Sequence, residues 1–380
     1  MPRRRRTAGT RGTRLSLRPS PLRESPLSRF LLAAYVLLLV YATLHPLSGW
    51  RDPGGAALAF LGAPWPRHFT AFDVGANFFG YFPFGLLCVL AARPRVPAMP
   101  AALFALCSGA VLSLGLEAAQ SFLPARIPSN LDVAANVAGV AAGALAGTLL
   151  APQLLGGGTL SRLRAEAFES GAAADLGLTL LGLWLFAQLN PATLLFGAGD
   201  LRGLLAGPVA GSAGERHDAG LFVFVEAATA AANLAALALL ASAVARTGAP
   251  LRRLLLALVG AALLVRTLAF AVLMHAEQVL VWLTPGAQLG LGVGIVLALA
   301  LLGLPRSARL AFAAMLLMAA TVLVNLAPPN PYLAATLTVW EQGHFLNFNG
   351  LTHLVSAAWP FAALGYLVHR ASVLRRDPLR

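Results

Sequence analysis

Long apolar runs recur along the whole chain, and short polar stretches separate them. Each run is long enough to cross a bilayer core of about 30 Å as a helix. The runs are apolar on every side, whereas the strands of membrane β-barrels alternate between apolar and polar faces. The pattern therefore predicts ten transmembrane helices, at about 30–46, 73–92, 99–118, 132–150, 174–190, 221–244, 254–273, 287–304, 310–326 and 351–369.

The composition supports this interpretation. Of the 380 residues, 58% are hydrophobic and only 11% are charged, whereas about a quarter of the residues in soluble proteins are charged. We therefore expect an all-α, polytopic integral membrane helical bundle. The two cysteines, Cys88 and Cys107, each lie within a predicted span, and their spacing matches neither a metal site nor a disulfide.

The distribution of arginine predicts the topology. All 28 basic residues are Arg, and residues 1–29 combine many of them with Pro, Ser and Thr, which is typical of a disordered tail. If this tail is cytoplasmic, every inner loop carries at least two Arg. The outer side receives only Arg51, Arg67, Arg126, Arg202 and Arg216. The positive-inside rule thus predicts a plasma (inner) membrane protein with both termini cytoplasmic. Because the arginines flank apolar helices, we do not expect nucleic acid as a partner.

Polar residues gather at the outer ends of spans two to four. Asp73 and Asn77 begin span two, and Asp132 and Asn136 repeat the same spacing in span four. Residues four apart share one helix face, so each span presents a carboxylate above an amide near the external surface. The stretch between the two pairs adds Glu117, Gln120, Arg126 and Ser129.

Two interpretations of these residues stay open. Asp73 and Asp132 stand at helix N-termini, where capping alone would explain them, and the asparagines could bond between helices. Alternatively, the set forms a ligand-contacting site, because ionisable groups at membrane depth usually serve a function. We expect Arg126 to pair with Glu117 or Asp132, or else with a bound anion. Close helix approach is expected at Ala76, Gly80, Ala135 and Gly139.

The first four spans resemble a known family. The phrases DVGANFFGYFPFG, E-x-x-Q and LPARIPSNLDVAANVAGVAAG, together with the LHP of residues 44–46, are similar to the VanZ-like membrane proteins, named for a teicoplanin-resistance protein. The resemblance covers about residues 30–150. Carried over by position, it assigns the motif residues Asp73, Asn77, Gly80, Pro83, Gly85, Glu117, Gln120, Arg126, Ser129, Asp132, Asn136 and Gly139.

The resemblance implies a role at the cell envelope, in some members lowered sensitivity to glycopeptides such as teicoplanin. It predicts a four-helix membrane domain over residues 30–150, preceded by the tail of residues 1–29. The longest inner loop follows, and residues 174–369 are expected to form an additional six-helix membrane region. That second region lies outside the resemblance.

The second region has polar candidates of its own. Glu226 and Arg266 lie at similar depths in spans six and seven, which allows an ion pair. His344, Asn347 and Asn349 lie in or near a polar outer stretch that we expect to fold back over the bundle. The spacing of its histidines matches no recognised metal-ligand pattern, so no metal is expected.

Three classes of function remain open. The first is recognition of a membrane lipid or a lipid-linked cell-wall precursor at the outward polar site. The second is an intramembrane enzyme that uses Glu117, Asp132 or Asp73 as acid or base, although no nucleophile motif accompanies them. The third is a transporter, which would need charged groups near the midplane. The sequence points to no cofactor and leaves the oligomeric state open.

Overall fold

The structure is a computed structural model that describes residues 25–155, 157–202, 219–273, 279–326 and 346–376. The predicted tail therefore lies almost entirely outside the described residues. Residues 27–29, which we assigned to it, begin the first helix instead.

Helices make up almost all regular structure in the described part of the chain. It contains no strand, only an isolated bridge between Phe168 and Ala245, so the all-α prediction is confirmed. The helices are α1 (Leu27–Leu44), α2 (Ala71–Ala92), α3 (Ala98–Gln120), α4 (Asn130–Leu154), α5 (Thr159–Ala167), α6 (Ala172–Ala187), α7 (Ala219–Val244), α8 (Leu251–Leu273), α9 (Pro285–Leu301), α10 (Arg306–Leu326) and α11 (Leu346–Arg376).

Each of the ten predicted spans coincides with one helix, and the short α5 was not predicted. Eight helices of the described chain are long and apolar enough to cross a membrane. The helices α6 and α9 are apolar but have only 16 and 17 residues. The chain is therefore a multi-spanning helical protein, while the number of ten crossings stays a prediction.

Glycines set the spacing between α2 and α4, the most extensive helix contact in the first half of the chain. A Cβ at Gly139 would lie 2.1 Å from the Phe78 carbonyl oxygen of α2. A Cβ at Gly143 would lie 1.9 Å from the Phe82 carbonyl oxygen of the same helix. Gly147 continues this row of small residues at intervals of four, which lets two backbones approach. Close approach of a neighbouring helix was expected at both Gly80 and Gly139. It is found at Gly139, but not at Gly80, where a Cβ would meet nothing within 4 Å.

The second half packs around α7. Within this helix, 83% of the span is buried, and α9 and α10 make its main contacts. A second glycine row, on α9, faces it: a Cβ at Gly290 or Gly294 would lie within 3.0 Å of Ala227 or Leu234 atoms. The two halves have separate buried apolar clusters, one around Val89 and Val140 and another around Trp184 and Leu237. The domain division itself stays a prediction.

Helix α1 lies between the two halves. Its Tyr35 hydroxyl donates to the Gly80 carbonyl at 2.6 Å, and the helix also packs on α6 and α11. Just before it, the Ser25 hydroxyl donates to the Asp175 carboxylate of α6 at 2.8 Å. Just after it, the His45 ring packs on Gly350 of α11. The VanZ-resembling half therefore meets the second half mainly through α1.

Both described ends of the chain lie at the same end of the bundle. Ser25 contacts the start of α6, and Arg370 near the end of α11 donates to the Ala243 carbonyl at the end of α7. Arg306 and Arg370 both pair with Glu169 at this end. Burial raises the pKa of Glu169, but the two guanidinium groups outweigh it and hold that pKa below its ordinary value.

We name this side the arginine-rich end. It carries Arg29, Arg93, Arg95, Arg162, Arg164, Arg246, Arg252, Arg253, Arg306, Arg309, Arg370 and Arg375. The opposite end has Arg51, Arg67, Arg126 and Arg202 among the described residues. This asymmetry agrees with the positive-inside rule, and the cytoplasmic placement of the arginine-rich end stays a prediction.

Cysteine labelling tests that placement. In a variant lacking Cys88 and Cys107, a cysteine at the exposed Arg67 is expected to react with a membrane-impermeant maleimide in intact cells. A cysteine at the exposed Glu166 is expected to react only after the membrane is opened. The opposite labelling pattern would invert the topology, and labelling of both sites in intact cells would contradict a fixed one.

Candidate functional site

The predicted polar residues of the first half converge at the end opposite the arginine-rich end. Glu117 of α3 is buried, at 4% exposure, and its carboxylate accepts the Ser129 backbone N–H at 3.0 Å. Asp132 and Arg126 lie within electrostatic reach of it. Three different segments of the chain therefore meet at one carboxylate.

The two D-x-x-x-N phrases also face each other. Asp132 of α4 lies close enough to Asp73 of α2 for the two carboxylates to repel, and Asn77 lies beside Asp132. Asp73 is also engaged at its own helix start, where it and Thr70 form a capping box. Asp132 has no such capping bond, since Ser129 caps α4 through the Leu131 N–H.

A fully buried pair lies one turn deeper. The Asn136 amide donates to the Ser113 hydroxyl at 2.9 Å, and both side chains are at most 2% exposed. The amide oxygen of Asn136 has no hydrogen-bond partner among the described residues. The buried Tyr81 of α2 lies beside Ser113 and Glu117. The Asn136 amide oxygen and the Tyr81 hydroxyl are thus both left without a hydrogen-bond partner among the described residues.

Arg126 and Gln120 hold the end of α1. Arg126 donates to the His45 carbonyl at 2.8 Å and to the Ala42 carbonyl at 3.4 Å, while Gln120 donates to the Thr43 carbonyl at 3.0 Å. The last carbonyls of a helix have no partner within it, so these side chains satisfy them from outside.

The expected direct pairing of Arg126 with Glu117 or Asp132 is therefore wrong. Its guanidinium is taken up by carbonyl oxygens, and Glu117 acts on it only at longer range. Burial lowers the pKa of Arg126, and the nearby Glu117 carboxylate works in the opposite direction. Arg126 therefore orders the end of α1 and also balances part of the negative charge of Glu117.

We name the converged set the polar cluster; it comprises Asp73, Asn77, Tyr81, Ser113, Glu117, Arg126, Asp132 and Asn136. Sequence reasoning missed Tyr81 and Ser113. The same interval of four would have found them, because Tyr81 continues the row of Asp73 and Asn77 and Ser113 precedes Glu117. The cluster is rich in hydrogen-bond acceptors: three carboxylates lie one turn above a buried amide oxygen that has no donor among the described residues.

The expected ion pair between Glu226 and Arg266 does not form. Glu226 accepts from the Thr284 hydroxyl at 2.7 Å, and Thr284 in turn caps α9. Arg266, which is 2% exposed, lies within electrostatic reach of Glu226 but binds elsewhere. Glu226 therefore positions the start of α9.

Arg266 binds residues 190–200, a mostly buried stretch without helix that we name the buried loop. Its guanidinium donates to the carbonyls of Asn190, Pro191 and Thr193 and to the Thr193 hydroxyl. Other side chains bind further along the loop: Trp184, Gln188 and Asn325 donate to the carbonyls of Phe196, Gly197 and Gly199. Irregular backbone at membrane depth is tolerated where protein satisfies its polar groups.

The remaining candidates do not form a second site among the described residues. His344 and the side chain of Asn347 lie outside them, as does the outer stretch expected to fold back. The backbone carbonyl of Asn349 accepts from the Thr352 hydroxyl. Asp200 pairs with Arg202; burial raises the pKa of Asp200, but Arg202 outweighs it and keeps that pKa below its usual value.

Comparison with known proteins assigns the first half. The family model described as VanZ/LLP1 matches residues 30–151, which is the segment that supplies the polar cluster. No curated protein and no solved structure matches the chain. The match covers the same residues as the motifs, so residues 30–151 are similar to the VanZ-like family by both comparisons.

Proposed function

We propose that this protein is a plasma membrane protein of the cell envelope with ten spans and cytoplasmic ends. Its polar cluster faces outward and binds the head group of a membrane lipid or a lipid-linked cell-wall precursor. The observation that carries the proposal is the meeting of Asp73, Glu117 and Asp132 from three helices, one turn above a buried Asn136 amide oxygen that has no donor among the described residues.

The contacts of the cluster support a donor-rich ligand. Gathering three carboxylates in a partly buried place is costly unless hydrogen-bond donors or a cation compensate them. Arg126 supplies only part of this, because its hydrogen bonds go to the end of α1. A head group with hydroxyl or amine groups would supply the missing donors, whereas a phosphate would add to the repulsion.

Lipids retained by the purified protein test the proposal. We expect mass spectrometry to find one hydroxyl- or amine-rich head-group class with the wild type. The double variant Glu117→Gln, Asp132→Asn should retain at least about a hundredfold less, because each of the two lost charge-assisted bonds is worth roughly 1.5–3 kcal/mol. Both changes preserve shape, and a glutamine at 117 keeps an acceptor for the Ser129 N–H.

The matched control is Asp52→Asn, which removes an exposed carboxylate that accepts a bond only from the nearby Gly54 N–H. It should leave the retained lipid unchanged. Equal retention by the wild type and the folded double variant would contradict the proposal. Conversion of a lipid precursor by the purified protein would indicate an enzyme instead, and flux of labelled substrate into vesicles a transporter.

A cellular comparison tests the envelope role. A strain that lacks the protein should regain its wild-type teicoplanin sensitivity with the wild-type gene or the Asp52→Asn gene. It should not regain it with the double variant. If deletion leaves both the sensitivity to teicoplanin and the envelope lipid profile unchanged, the proposed role is wrong, whatever the cluster binds.

A further inference from the structure

A large cleft opens between the two halves at the arginine-rich end. Its volume is about 1640 Å³, above the roughly 300–1,000 Å³ of sites for small molecules. Six arginines line it, with Glu169 as the lining carboxylate: Arg93, Arg162, Arg164, Arg246, Arg306 and Arg370. We name it the arginine cleft. It lies at the other end of the bundle from the polar cluster.

Three of these arginines have a carboxylate partner. Arg306 and Arg370 share Glu169, and Arg164 pairs with the fully buried Asp175. These ion pairs tie α5, α6, α10 and α11 together. Half of the arginines that line the cleft are therefore already used in ion pairs that hold these helices together.

The other three arginines have no carboxylate partner among the described residues. Arg93 and Arg246 make only long bonds of 3.5 and 3.4 Å to the carbonyls of Val96 and Ala165. Arg162 is exposed, and its side chain has no bond within the described chain. The Nε atoms of Arg93 and Arg164 are buried without a hydrogen-bond partner. The guanidinium groups of Arg93, Arg162 and Arg246 therefore keep donors that the described chain does not use.

The walls between the arginines are apolar. Leu27 and Leu31 of α1, Leu86 and Leu90 of α2 and Leu374 of α11 line the cleft alongside the charges. The tail before α1 cannot neutralise it, because residues 1–24 contain many arginines and Glu24 as their one acid. A ligand that satisfies both surfaces must combine an anionic group with hydrocarbon.

We propose that the arginine cleft binds an anionic phospholipid. The phosphate group accepts hydrogen bonds from Arg93, Arg162 and Arg246, and the acyl chains lie along the leucine walls between α1 and α2. Arginine is suited to phosphate because its donors are arranged in a planar fork. Basic pockets between transmembrane helices on the cytoplasmic side bind such head groups. The lipid would fill the space between the VanZ-resembling half and the second half.

Thermal stabilisation by added lipid tests this inference. The wild-type chain in detergent is expected to melt at a higher temperature with phosphatidylglycerol than with phosphatidylcholine, because a ligand of the native state stabilises it. The triple variant Arg93→Gln, Arg162→Gln, Arg246→Gln should bind phosphatidylglycerol about a hundredfold more weakly, given the contribution of each arginine near a membrane surface. It breaks none of the described ion pairs.

The control triple variant is Arg252→Gln, Arg253→Gln, Arg375→Gln, which removes the same charge from exposed positions outside the cleft at the same end. It should keep wild-type affinity. If the first triple variant does not fold, Arg162→Gln alone should weaken binding by several-fold, since this exposed side chain supports no other contact. Equal loss in both triple variants would overturn the inference in favour of a diffuse charge effect. Equal stabilisation by glycerol phosphate or inorganic phosphate would replace the lipid by a soluble ligand.

Discussion

Replacing Arg266 by alanine is expected to prevent the second half of the protein from folding. The side chain is buried and donates to the carbonyls of Asn190, Pro191 and Thr193. Without it, the buried carbonyls of Pro191 and Thr193 lose their donor, at about 1–3 kcal/mol each, while the Asn190 carbonyl keeps the Thr193 hydroxyl. That loss is a large part of the net stability of a typical domain, about 5–15 kcal/mol.

The yield and melting temperature of purified protein check this expectation. Arg266→Lys should rescue only in part, because one ammonium group cannot reach all the carbonyls that the planar guanidinium spans. The control is Arg252→Ala on the same helix, where the side chain is exposed; it should melt as the wild type does. An Arg266→Ala protein that melts within a few degrees of the wild type would mean that the buried loop is supported by other contacts.

A leucine at Gly143 is expected to separate α2 from α4. A Cβ there would lie only 1.9 Å from the Phe82 carbonyl oxygen, and backbone cannot yield as a flexible side chain can. Overpacking a tight interior costs about 1–3 kcal/mol or more. The damage should extend to the polar cluster, since α2 carries Asn77 and α4 carries Asp132.

Gly115→Leu provides the matched control. Gly115 lies in α3, where it is exposed and a Cβ would meet nothing within 4 Å. This variant should give the same yield of monodisperse protein in detergent as the wild type, while Gly143→Leu gives little or none. Equal yields and melting temperatures for the two variants would show that the contact between α2 and α4 is looser than its geometry indicates.

The helices could be predicted from the sequence because each apolar run is a local signal. Each predicted span coincides with a helix, and Asp132 lies near Asp73 and Asn77 of the matching D-x-x-x-N phrase. The interval of four residues sets a common helix face whatever surrounds it. The match of residues 30–151 to the VanZ/LLP1 family model agrees with the motifs.

The partners of the charged side chains could not be predicted in this way. We expected Arg126 and Arg266 to pair with carboxylates at similar depth, yet both bind backbone carbonyls. Those carbonyls are free only because α1 ends at Leu44 and because the buried loop lacks a helix. Such unmatched backbone groups depend on tertiary structure, which leaves little trace in the spacing of residues. The arginine cleft could not be predicted either, because its lining residues come from both halves of the chain and meet only in the folded structure.

The position of α1 also constrains how the protein assembles during synthesis. This helix is made before the other described helices, yet one of its sides packs on α11, which is made after all of them. At translation speeds of about 5–20 residues per second, roughly 15–60 s separate the two. In that interval lipids or an insertion factor must cover the surface of α1 that later contacts α11. Translation pauses ahead of α11 would lengthen this exposure, so the speed of the ribosome bears directly on how much protein reaches its native form.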